Sequence, residues 1–207
     1  QKRLIALDHD FAVEHGFRLA RQDRSLLGRD VGIQRQFANN RTSHQGHNHQ
    51  TQGPFAVARV PDGNRTEDAA GTEASAAQVE ALIARENARG IPDERIVLAG
   101  FSQGGAIALH AGLRHPQRLA GVMALSTFLP LAERLAGEAH PANRDVPIFM
   151  AHGQGDSVIP HDFARQSAEL LSAAGYPLEW RSYPMEHSLC LPEVRDIEDW
   201  LAKVLAA

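Results

Sequence analysis

The chain has 207 residues, 43% of them hydrophobic, and a net charge of -4, which suits one globular domain with a substantial core. That balance gives no reason to expect nucleic acid or an anionic membrane as a partner. Cys190 is the single cysteine, so an intrachain disulfide is excluded. No apolar run nears the ~18 residues of a membrane span and no signal-type hydrophobic centre follows Gln1, so a cytoplasmic protein without an integral membrane segment is expected.

Residues 1–64 read differently from the rest. They hold nine basic against six acidic residues and five of the eleven histidines, but neither Trp nor Tyr. Leu4–Leu7 and Phe55–Ala58 are short apolar runs, of strand or helix. The stretch from Asn39 to Gln52 buries almost nothing and reads as loop or disorder. Its histidines His44, His47 and His49 are close together, but no carboxylate or cysteine joins them at a defined spacing. No metal site is therefore expected.

From Arg65 the chain alternates regularly. Ala74–Ala88 is a predicted helix with Ala77, Val79, Leu82 and Ile83 as its apolar stripe, stopped by Gly90 and Pro92. Ile96–Ala99 is apolar and β-branched, which suits a strand buried on both faces. A small-residue helix from Gly104 follows and ends near His115-Pro116. Leu119–Leu125 is the next buried strand, and Ala132–Asn143 is a polar connection. Val146–His152 is a third strand, His161–Ala174 a helix closed by Gly175, Leu178–Tyr183 a fourth strand, and Glu193–Leu205 an amphipathic helix. This order implies a mostly parallel sheet with helices on both faces, a three-layer sandwich.

Between the first of these strands and its helix lies Gly100-Phe101-Ser102-Gln103-Gly104, a G-x-S-x-G pattern. A sharp strand-to-helix turn would raise the serine hydroxyl at a helix N-terminus, where free backbone N–H groups can meet a developing oxyanion. A serine needs a base, and the base needs an orienting group. Asp156 follows the strand ending at His152, and His187 follows the strand ending at Tyr183. Loops leaving the C-terminal ends of parallel strands open on one edge, so Ser102, Asp156 and His187 are expected to meet there. The N–H of Gln103 is the visible oxyanion donor.

The other candidates have plainer readings. Asp162 suits the first turn of its helix, and His110, His115, His140 and His161 are expected to be solvated. His152 is expected to brace the loop that carries Asp156. Cys190 reads as a small buried thiol.

The stretches RIVLAGFSQGGAIAL, GVMALSTFLP, HGQGDSVIP, SYPMEHSLC and IEDWL together resemble the small carboxylesterases of the phospholipase/carboxylesterase family, relatives of acyl-protein thioesterases. The resemblance covers about Arg65 to Ala207. It implies an α/β-hydrolase fold, Ser102, Asp156 and His187 as the triad, and hydrolysis of short or medium acyl esters without a cofactor. It also implies Leu129 on the acyl side of the pocket, and often a homodimer. Longer-chain thioesterase or lysophospholipase activity stays open, as does a catalytically impaired binding protein. The family's His-Gly-x-Gly oxyanion loop does not read out before Arg65. Residues 1–64 are expected either to have diverged or to carry a shifted reading frame within the single domain.

Overall fold

The structure, a computed structural model, describes residues 3–7, 32–34 and 68–206. The runs at 55–58 and 39–52 and the histidines His44, His47 and His49 lie outside the described residues. Six strands form one sheet: β1 (Arg3–Ala6), β2 (Gly32–Gln34), β3 (Ile96–Phe101), β4 (Gly121–Leu125), β5 (Ile148–Gly153) and β6 (Leu178–Tyr183). Their order is β2-β1-β3-β4-β5-β6, and every pairing is parallel. The helices are α1 (Ala69–Ala88), α2 (Gln103–Arg114), α3 (Leu135–Glu138), α4 (His161–Ala173) and α5 (Leu191–Ala206).

Strands β3, β4 and β5 are buried along their whole length, as continuous apolar runs in a covered parallel sheet should be. Successive side chains point to opposite faces, and two cores result. Leu98, Val122, Ile148 and Met150 pack with Val79, Ile83, Leu109 and Leu171 of α1, α2 and α4. Val97, Phe101, Met123 and Phe149 pack with Ile197 and Trp200 of α5. Helices therefore cover both faces. At the sheet edge, β6 is only partly buried and carries Glu179 and Arg181, charges that discourage pairing with another strand.

Several boundaries differ from expectation for local reasons. Helix α1 starts five residues early because the Asp68 side chain accepts the N–H of Gly71 at 2.9 Å and caps it. Its buried face is Ser75, Val79, Ile83 and Glu86, while Ala77 is exposed and Ala76 packs in its place. Strand β5 begins after Pro147, which has no N–H for the ladder but still accepts from Val122 through its carbonyl, at 2.9 Å. The polar connection after β4 folds as α3 between short 3₁₀ turns at Ala132–Arg134 and Pro141–Asn143. Gly90 and Gly175 end α1 and α4 at φ 84° and 90°, as a left-handed helix stop requires.

Candidate active site

Ser102 joins β3 directly to α2. Its backbone has φ 52° and ψ -121°, a conformation costly for a residue with a Cβ and one that persists only where the surroundings enforce it. Here they do. The Ser102 N–H donates to the Leu125 carbonyl at 2.8 Å, and its carbonyl accepts from the Ala106 N–H at 3.2 Å. The flanking glycines serve close approach. A Cβ on Gly100 would lie 2.2 Å from the Gly104 backbone, and one on Gly104 would lie 1.7 Å from the Leu7 carbonyl oxygen. The end of β1 thus seats against the first turn of α2. Gln103 opens that helix, so its N–H lies among those with no intrahelical acceptor.

Asp156 and His187 sit on loops that are stitched together. Gln154 donates to the Tyr183 carbonyl at 2.8 Å, and Gly155 to the Met185 carbonyl at 3.0 Å. Gly153 is required because a Cβ there would come within 2.3 Å of the Glu186 carbonyl. These contacts bring His187 Nδ1 to 2.6 Å from Asp156 Oδ2, and His187 Nε2 to 3.0 Å from Ser102 Oγ. The other carboxylate oxygen, Asp156 Oδ1, accepts the N–H groups of Val158 and Ile159 at 2.9 Å each. A buried carboxylate so supplied with donors acts as the acceptor of the Nδ1 proton, which leaves Nε2 free to accept from the serine hydroxyl. The Phe101 ring lies 4.8 Å from the imidazole and limits its rotation.

Further features surround this line. Every non-glycine residue with positive φ among the described ones is Ser102, Ser126 or Leu131; the last two follow β4, the strand beside the elbow. The hydroxyls of Ser126 and Thr127 are buried without a partner among the described residues. Leu129 is buried in the core on the α4 side, and its N–H donates to Ser167 Oγ at 3.0 Å. His152 is buried and its Nε2–H donates to the Ile159 carbonyl at 2.9 Å, so it does brace the Asp156 loop. Burial holds its basicity below that of an ordinary histidine.

Two histidines expected to be solvated are buried instead, because α1 covers the outer side of α2. His110 is pushed down to about 4, mainly by burial and then by Arg114. His115 Nδ1 lies 2.9 Å from Glu80, and its Nε2 2.8 Å from Asp93. Cys190 is half-buried, packed beside the α5 core. Glu193 escaped the sequence reading altogether: it is fully buried in the first turn of α5, and burial pushes its carboxyl up to about 8.

Comparison with known families identifies the family and the fold. The profile of the phospholipase/carboxylesterase family matches residues 46–205, starting earlier than the resemblance from about Arg65. The chain belongs to that family. It is 44% identical over 145 residues to acyl-protein thioesterase 1 of Neurospora crassa, covering 68% of this chain. It is 37% identical over 166 residues to the protein of the same name from Mycosarcoma maydis, covering 74% of this chain and 69% of that one. The chain spans 59% of the length of the Neurospora relative and 61% of that from Gibberella zeae. Among solved structures, Arabidopsis thaliana SOBER1 superposes with a TM-score of 0.65 at 28% identity, over 73% of this chain and 70% of that one. Zea mays acyl-protein thioesterase 2 superposes with a TM-score of 0.63 at 27% identity, over 73% and 71%. The fold is that of the α/β hydrolases. Among the described residues no helix is long and apolar enough to cross a membrane.

Proposed function

We propose that the protein is a serine hydrolase that cleaves short or medium acyl esters through Ser102, His187 and Asp156. The continuous hydrogen-bonded line from Ser102 Oγ through both ring nitrogens to the Asp156 carboxylate carries this reading. Ser102 Oγ attacks the ester carbonyl while His187 Nε2 takes its proton. Asp156 keeps the imidazole in the useful tautomer and balances the imidazolium. The tetrahedral oxyanion meets the N–H of Gln103, aided by the α2 N-terminus. His187 returns the proton to the leaving alcohol, and water repeats the cycle on the acyl-enzyme to release the acid. Leu129 is assigned to the acyl side of the pocket. All of these groups belong to the chain itself, so the reading calls for neither metal nor cofactor. Homodimerisation is proposed on the family resemblance alone.

A second reading is hydrolysis of acyl thioesters on longer chains, and the relatives' name, acyl-protein thioesterase, favours its thioester part. Rates on matched ester and thioester series of increasing acyl length separate the two. A maximum at short esters supports the first reading, and a maximum at long thioesters the second. Replacing Ser102 by Ala should lower turnover about 10⁶-fold in either case. Unchanged turnover in that variant would refute both.

A further inference from the structure

We infer that His152 is a positioning residue for the Asp156–His187 pair, one that fixes the carboxylate through the Ile159 backbone and sets its ring N–H beside Oδ2. The inference rests on the reading of Ser102, His187 and Asp156 as the catalytic line.

Three observations carry it. First, the Nε2–H of His152 donates to the Ile159 carbonyl at 2.9 Å, and Asp156 Oδ2 lies 3.2 Å from the same nitrogen. Both neighbours of Nε2 are acceptors, so Nε2 holds the proton. Oδ2 is also the oxygen that meets His187 Nδ1 at 2.6 Å. Ile159 in turn gives its own N–H to Asp156 Oδ1 at 2.9 Å. His152 therefore reaches Oδ1 by a bonded path through residue 159, while its Nε2–H stands 3.2 Å from Oδ2 without bonding to it.

Second, His152 Nδ1 is buried with no partner among the described residues. A buried acceptor left unpaired is a net cost, and a leucine would fill a structural position without it. Departures from such a local rule gather at functional sites. Third, the ring is clamped: Trp180 of β6 stacks on it at 6.3 Å and 19°, and His161 of α4 meets it edge-on at 6.1 Å. His161 is itself held to Ser182 Oγ at 2.8 Å. The titratable groups facing His152 are thus Asp156 from the loop after β5, His161 from α4 and His187 from the loop after β6.

Two consequences follow for the reaction. The carboxylate can neither rotate nor take a proton from His152, so its negative charge stays aimed at Nδ1. The positive end of the ring N–H beside Oδ2 also offsets part of that charge, which moderates how strongly Asp156 stabilises the His187 imidazolium. Without it, the imidazolium persists to higher pH.

The test compares His152→Leu, which removes the donor, with His152→Gln, which keeps an N–H at similar reach. Fluorophosphonate titration counts active sites, and ester hydrolysis is followed from pH 5 to 9. The Leu variant should lose about 10- to 100-fold in kcat per titrated site, the usual scale for removing an outer positioning bond, with KM little changed. Its acid limb in kcat/KM should move to higher pH, and the Gln variant should regain most of both. A Leu variant that keeps the wild-type pH limb per titrated site overturns the inference and leaves the catalytic reading standing. A folded wild-type chain that takes no fluorophosphonate overturns both.

Discussion

Each end of helix α2 faces a histidine held by carboxylate, and the two differ in what stands on the second ring nitrogen. At the N-terminal end, His187 has Asp156 on one nitrogen and the Ser102 hydroxyl on the other. At the C-terminal end, His115 caps the helix with Glu80 on one nitrogen and Asp93 on the other. Burial alone would lower the basicity of His115, but the bonds to Glu80 and Asp93 outweigh it and raise the proton affinity. With an acceptor on both sides, the His115 ring holds two protons and ties α1, α2 and the turn before β3 together. His187 has an acceptor on one side only, so its second nitrogen is left to work as a base. The same residue type is a clamp in one place and, in the proposed function, a proton carrier in the other, and a single partner makes the difference.

The largest test of this contrast removes the orienting carboxylate. Asp156→Asn should lower kcat about 10⁴-fold by permitting the wrong tautomer, with the melting temperature less affected than the rate. Next in size is Gly104→Ala, whose Cβ would enter the Leu7 carbonyl. Overpacking of this kind costs roughly 1–3 kcal/mol, read by urea unfolding, and should reduce the titratable fraction of Ser102.

At the other end of the helix, His115→Leu should cost about 1–3 kcal/mol for the partners left unpaired and leave kcat per titrated site unchanged. The sign of its pH dependence is fixed. A histidine whose folded proton affinity is raised stabilises fully below its unfolded value of 6.5, and the gain is lost as pH rises through the folded value. The gap between wild type and His115→Leu in urea should therefore narrow with rising pH. The smallest effect concerns Glu193. Its carboxyl is pushed up to about 8 from 4.5 by burial, and neither of its oxygens has a hydrogen-bond partner among the described residues. The unfolded chain releases that proton earlier, so stability falls between those two values. Glu193→Gln should gain on wild type across that window and hold a constant advantage above it.

Much of this was legible from local pattern, and the exceptions have physical causes. Strands β3, β4 and β5 were readable because a parallel strand buried on both faces is a plain apolar run. Ser102, Asp156 and His187 were readable because each stands just past a strand end on the same edge. The His115 clamp was not, since Glu80 and Asp93 stand 35 and 22 residues away in sequence and only the packing of α1 on α2 brings them in. The first turn of α1 was missed because Ala-Ala-Gly carries no apolar period, while the Asp68 cap decides where the helix begins. Glu193 was hidden by its position: an acid in a first turn reads as an exposed partner of the helix dipole, whereas here the α5 core closes over it.

Intact-mass spectrometry before and after fluorophosphonate treatment tests the central claim most directly, with Ser102→Ala as control. One adduct per native chain and none on the variant is the predicted result, because only an activated serine facing an oxyanion donor reacts at that stoichiometry. A folded native chain of unchanged mass would contradict it, and a binding protein on a hydrolase fold would become the better reading.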